Sequence, residues 1–302
     1  MLIMKILITG GTGLLGWWLV KEFRDKGFEV HATYYSKQLI GLEDVVWHRM
    51  DLEDHQSIAE VVNKVKPEVI VHSAAYTDVD GCELDKVKAY RANYLGTKVL
   101  ASVSRGVEFF VYISTDYVFD GKRGMYGEDD VPNPINYYGL SKLLGEVAVV
   151  SILGGKSCVV RVSGLYGYSP TGKKNFGIIA LGKLLKGEEV RAFHDQMLSP
   201  TYVRFLAQAI AKIVEKRVTG ILHVAGERVS RYEFALRLAE VIGVDRGLVR
   251  SISMNDVRLV ARRPRDSSLD TSKAKNLGIG LPPLDHCLRD FVTIYRKLAE
   301  VR

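Results

Sequence analysis

By its pattern the sequence falls in the α/β class, as a doubly wound parallel sheet with a smaller C-terminal lobe. Three observations predict this. Short apolar runs rich in β-branched residues, among them KILIT, EVIVHSAA and SCVVRVS, alternate with longer amphipathic stretches such as LLGWWLVKEFRDKG and HQSIAEVVNKVK. The runs are continuously apolar rather than alternating, as strands buried on both faces are. A glycine-rich segment, TGGTGLLG, follows the first run and directly precedes the first helix-like stretch.

Along the chain, KILIT, EVHATYY, VVWHRMD, EVIVHSAA, EFFVYIST and SCVVRVS read as successive strands, with KAYRANYLGTKVLASVSRG a further helix-like stretch between them. After Gly164 come glycine- and lysine-rich loops, SPTGKKNFG and LLKGEE, and then the helical patterns RFLAQAIAKIVEKR and RYEFALRLAEVIG. The strand-like GILHVAG separates those two helices. Residues 1–165 are therefore expected to form a dinucleotide-binding domain to which 200–226 return. Residues 166–199 and 227–302 are expected to form a substrate-binding lobe.

A chain of 302 residues with 47% hydrophobic content can fill a substantial core. Three widely spaced cysteines, Cys82, Cys158 and Cys287, give neither a disulfide framework nor a zinc cluster, which fits a reducing, cytoplasmic setting. The opening MLIMKILITGG is too short an apolar run for a membrane span and reads as a buried strand. The net charge is +7, but the basic residues are dispersed apart from Lys173-Lys174 and the ARRPRD segment, so anionic small molecules are expected partners and nucleic acid is not. Seven histidines show no metal-ligand grouping, and no catalytic metal is expected.

The glycine segment places Gly10, Gly13 and Gly16 around Thr12, Leu14 and Leu15. Glycines there let the chain turn tightly and let backbone N–H groups approach a pyrophosphate at the positive end of the following helix, the Rossmann-type arrangement. In many such sites an acid at the end of the second strand binds the ribose hydroxyls of NAD. Here the segment is HATYYSKQ, without an acid, and Tyr35, Ser36 and Lys37 suit a 2′-phosphate, favouring NADPH over NADH. Asp51, followed by Leu52, either reaches the adenine edge or caps the helix beginning nearby.

A tyrosine four residues before a lysine puts both on one helix face, where the cation favours the phenolate that proton exchange at neutral pH requires. Two pairs have this spacing: Tyr138 with Lys142 in NPINYYGLSKLLGE, and Tyr94 with Lys98 in NYLGTK. The first is favoured because EFFVYISTDYVFDG runs out into Ser114-Thr115-Asp116 just upstream, and ligands bind beyond the carboxyl ends of such strands.

Together TGGTGLLG, HSAAYTDVD, Asn93, STDYVFDG and YGLSK resemble the extended short-chain dehydrogenase/reductase superfamily. Within it, AAYTDVDGCE, ISTDYVFDG, SPTYV and RRPRDSSLD are most similar to the dTDP-4-dehydrorhamnose reductases, from residue 5 to about residue 285. The resemblance implies that Thr115 polarises the substrate, that Tyr138 is the acid tuned by Lys142, and that Asp116 assists nearby. It implies that Ala74, Ala75, Tyr76 and Asn93 serve the cofactor cleft, with Asp78 and Asp80 on the substrate side. The ARRPRDSSLD segment either offers Arg262, Arg263 and Arg265 to the substrate's diphosphate, whose oxygens guanidinium groups match, or is a charged loop tied down by Asp266 and Asp270. The implied reaction is reduction of the C4 ketone of a nucleotide-linked deoxysugar. RVSGLYG departs from the family pattern, having Gly164 where a tryptophan usually covers the sugar nucleotide. The same resemblance admits two other readings, an NADP-binding regulatory subunit like the methionine adenosyltransferase β subunits and a sugar-nucleotide epimerase or dehydratase. A homodimer is compatible with each.

Overall fold

The structure is a computed structural model that describes residues 4–36 and 42–299. Its centre is a seven-stranded sheet. The strands are β1 (Lys5–Thr9), β2 (Glu29–Tyr34), β3 (Val46–Arg49), β4 (Val69–His72), β5 (Phe109–Thr115), β6 (Ser157–Val162) and β7 (Gly220–His223). They run parallel in the order β7-β6-β5-β4-β1-β2-β3, so the winding reverses between β1 and β4. All of β4, β5 and β6 is buried, which is why those strands carry unbroken apolar runs.

Each face of the sheet is covered by helices whose apolar side follows the helical period. On one face α1 (Leu14–Asp25) inserts Leu15, Trp18, Leu19 and Phe23 and packs against the helix Val203–Lys216. On the other, α2 (His55–Val65), the helix Thr97–Val103 and the helix Tyr137–Leu153 enclose Leu7, Ile70, Phe110 and Val159. A separate cluster beyond the sheet gathers Tyr166, Tyr202, Phe234 and Phe291, with the helices Phe176–Leu184, Arg231–Ile242 and Leu284–Ala299 around it.

The helix Tyr137–Leu153 starts where the Asn136 side chain accepts the Gly139 N–H at 2.9 Å. Gly139 is required there, because a Cβ would collide with the Tyr117 carbonyl oxygen. Carried on to Lys156, this segment is long and apolar enough by composition to cross a membrane, yet it lies along the sheet with Lys142 and Glu146 buried.

Glu146 ties three elements together. Arg161 on β6 donates to both of its oxygens at 3.0 and 2.7 Å, and Ser114 on β5 donates to Oε1 at 2.5 Å. All three side chains are buried, Arg161 being 1% exposed. Removing one partner of a buried pair strands the other charge, at a cost of about 3–5 kcal/mol. Arg161→Met should lower the unfolding free energy by about that amount, and adding Glu146→Gln should recover part of the loss; denaturant unfolding of the single and double variants measures both.

Candidate active site

The reversal of winding between β1 and β4 leaves a crevice beyond the strand ends, where such sheets bind ligands. A cavity of about 860 Å³ occupies it. At one end the chain leaves β1 through Gly10 in a left-handed conformation at φ 69°, and any Cβ on Gly16 would collide with the Gly10 carbonyl oxygen. Gly13, the residue before α1, offers no side-chain acceptor to the helix N–H groups, and the first turn carries no acid. That helix end is open to an anion, as a dinucleotide pyrophosphate requires.

Most of the residues singled out in the sequence converge on this cavity. Its wall includes Gly10, Thr12, Gly13, Leu14, Leu15 and Gly16 from the turn, with Tyr35 and Ser36 after β2, and Asp51 and Leu52 after β3. It continues through Ala74, Ala75 and Tyr76 after β4 to Thr115 and Asp116 at the end of β5, facing Tyr138 and Lys142. Lys37 lies outside the described residues. Asp51 does not cap α2; Asp54 does, accepting the Gln56 and Ser57 N–H groups, while Asp51 accepts only Glu53 N–H nearby.

Four expected residues lie away from the wall. Asn93 is buried behind it, where its amide exchanges hydrogen bonds with the Tyr76 backbone N–H and carbonyl at 2.8 and 2.9 Å and donates to Ser141. Asp78 caps the short helix Val79–Leu84 through the Gly81 N–H. Asp80 accepts from Arg263 at 2.9 Å and from the Ala261 N–H, so that acid and guanidinium bind each other. Conversely, Tyr117, Lys173, Lys174, Gln196, Arg231 and Ser267 line the cavity without having been assigned to it from sequence. Ser267 lies inside the RRPRDSSLD motif, whereas Arg231 opens a helix whose pattern signalled only packing.

A family model described as the RmlD substrate binding domain matches residues 4–297. The chain belongs to this family. It is 35% identical to a protein named as a probable low-salt glycan biosynthesis reductase of Haloferax volcanii, over 93% of this chain and 95% of that one. It is 34% identical to methionine adenosyltransferase 2 subunit beta of Xenopus tropicalis, over 91% and 83% respectively. The structure superposes with a TM-score of 0.84 on dTDP-4-dehydrorhamnose reductase from Bacillus anthracis in complex with NADP, at 30% identity and covering 97% of this chain and 99% of that one.

Gly164, where the resemblance in sequence leads to the expectation of a tryptophan, lines the cavity. This residue sits at φ 50°, and a Cβ on it would collide with Leu198, so the covering wall at this point is backbone and Leu198 rather than an aromatic ring.

The electrostatics differ from the simple expectation that Lys142 eases ionisation of Tyr138. Burial pushes the Tyr138 phenol above its ordinary range, the Asp116 charge pushes the same way, and the Thr115 hydroxyl beside it acts in the opposite direction. Lys142 is itself pushed down to about 7 by burial, partly offset by Glu146, and its Nζ rests 4.1 Å over the Tyr112 ring. Asp116 is raised to about 6 by burial against the hydrogen bonds it accepts from Ser267, Ser163 and Thr115.

A lysine whose folded pKa lies below its unfolded one costs stability fully at and below the folded value, here about 7, and the cost fades as pH rises toward 10.5. Lys142→Met should therefore raise the melting temperature by about a few degrees at pH 7, with an advantage that shrinks between pH 7 and pH 10. Thermal unfolding across that window measures it.

Proposed function

We propose that this protein is an NADPH-dependent oxidoreductase that reduces the C4 ketone of a nucleotide-linked deoxysugar. The observation that carries this reading is the cavity of about 860 Å³, whose wall joins the glycine turn to Thr115, Tyr138 and Lys142. An anion-accepting helix end and a proton-donating pair in one crevice are what a carbonyl reductase needs. Membership of the RmlD family, the similarity to a glycan biosynthesis reductase and the NADP in the Bacillus anthracis reductase support it.

NADPH would supply the hydride when bound; Gly10, Gly13 and Gly16 at the start of α1 would hold its pyrophosphate, and Tyr35, Ser36, Asp51 and Leu52 its adenosine end. Ala74, Ala75 and Tyr76 form the wall between the two ends, and Asn93 fixes that wall by holding the Tyr76 backbone. A ketone that takes up a hydride becomes an alkoxide at its oxygen. Tyr138 gives that oxygen its proton, and the Thr115 hydroxyl binds the same oxygen. Lys142, one helical turn from Tyr138, stabilises the phenolate left behind only in its protonated form, which burial makes scarce above about pH 7. Without substrate the Thr115 hydroxyl donates its one hydrogen to Asp116 Oδ1 at 3.1 Å, and it would swing from Asp116 to the substrate oxygen when the ketone binds.

A second reading is a regulatory subunit that keeps the cofactor site and acts on a partner enzyme, supported by the similarity to methionine adenosyltransferase 2 subunit beta. NADPH oxidation with a panel of 4-keto sugar nucleotides separates the two. Turnover is expected for the intact protein, and Tyr138→Phe should reduce it by about 10²–10⁴-fold, the usual contribution of general acid catalysis. Turnover unaffected by loss of the phenol discards the mechanism, and no turnover with any member of the panel favours the regulatory reading.

A further inference from the structure

Among the described residues Arg231 is the arginine that stands in the cavity wall itself. Arg161 is paired with Glu146, Arg204 with Asp290, Arg228 with Asp266 and Arg263 with Asp80, but no carboxylate lies within ion-pair distance of Arg231 among the described residues. Its Nε donates to a neutral oxygen, Gln196 Oε1, at 2.6 Å, and its guanidinium lies 5.0 Å over the Phe176 ring. The Tyr117 hydroxyl is its other close polar neighbour. A guanidinium has more N–H donors than these two can use. The nearest acid, Asp116, already accepts the hydroxyls of Thr115, Ser163 and Ser267. Arg231 is half-buried in the cavity wall with guanidinium donors to spare and no counter-charge, an arrangement that suits an anion arriving from outside.

The position of Arg231 indicates which anion. It lines the same cavity as Tyr138, separated from it by Tyr117, whose ring meets the Tyr138 ring edge-on at 6.1 Å. On a 4-ketopyranose the anomeric oxygen lies across the ring from C4, so a sugar whose carbonyl reaches Tyr138 projects its phosphate to the far side of that pocket. The glycine turn is occupied with the cofactor end of the cavity, and Arg263 is held by Asp80 and the Ala261 carbonyl.

From this geometry we infer that Arg231, braced by Gln196 and Phe176, binds the diphosphate of the sugar-nucleotide substrate. The site takes a nucleoside diphosphate whether or not a keto sugar is attached. The inference rests on the reductase reading only for the direction in which the substrate lies.

Calorimetric titration of the full chain saturated with NADP⁺ tests it, using dTDP, UDP, GDP and CDP beside the matching nucleosides. Wild type should bind at least one diphosphate more tightly than its nucleoside. Arg231→Gln should weaken that diphosphate by about ten- to a hundredfold, with nucleoside and NADPH affinities unchanged. Gln196→Glu, which gives the guanidinium a carboxylate partner within the protein, should weaken it as well and serves if Arg231→Gln does not fold. Diphosphate affinity unchanged in either folded variant, equal loss of NADPH affinity, or no diphosphate binding by wild type overturns the assignment. Turnover of a keto sugar that survives Arg231→Gln with unchanged KM overturns it while leaving the reductase reading intact. Arg231-dependent diphosphate binding without any turnover does the reverse.

Discussion

A carboxylate and a guanidinium buried side by side, Glu146 and Arg161, constrain where Thr115, Tyr138 and Lys142 stand in the cavity wall. Glu146 comes one helical turn after Lys142, which comes one turn after Tyr138, so fixing the carboxylate fixes the register of the helix that presents the other two. The partners that fix it sit at the ends of neighbouring strands: Ser114 directly precedes Thr115, and Arg161 lies two residues before Ser163, which holds Asp116. Arg161 also reaches His223 on β7 at 3.4 Å, extending the connection to the edge of the sheet. A buried ion pair is a poor source of net stability, since desolvation offsets most of the attraction. Its worth here is geometric: a slip of the helix by one residue would leave both charges unmatched.

The same logic explains the polar residues behind the cavity. His72 lies between Thr9 at 2.7 Å and Thr97 at 3.0 Å, and burial keeps it neutral, with a pKa pushed down to about 3. Thr97 in turn donates to the Asn93 carbonyl, and Asn93 holds both the Tyr76 backbone and Ser141. His72, Thr97, Asn93 and Ser141 are all partnered in this way, so the wall under the cavity is held by hydrogen bonds as well as by apolar packing.

The sheet was legible from sequence because it rests on local pattern. Continuous apolar runs mark strands covered on both faces, and β1 to β7 fall inside the segments that pattern selects. The glycine turn was legible for the same reason, each glycine answering a steric demand within a few residues. Tyr138 and Tyr94 could be separated only by context. Tyr94 lies in a π-helical stretch, Tyr90–Gly96, with its ring against Tyr90 and beside Lys98, away from the cavity. Pairings between distant side chains left no such trace. Asp80 and Arg263 are 183 residues apart, and Gln196 and Arg231 lie on different elements with ordinary neighbours in sequence. A charge on its own says nothing about whether it will be neutralised by the protein or left for a ligand. That is why Arg263 was expected to face the substrate and Arg231 was not.

The strand order bears on how the chain is made. β7 joins the sheet beside β6 only after 57 intervening residues have been added, and the Ser267 hydroxyl that Asp116 needs comes 151 residues after it. On a ribosome the first half can wind its sheet early, but β6 remains an unpaired edge until Gly220–His223 emerges, and the acid beside Thr115 stays short of one hydroxyl until Ser267 follows. Completion of the cavity wall thereby waits on residues far along the chain, and a product cut before Ser267 would carry the glycine turn without that hydroxyl.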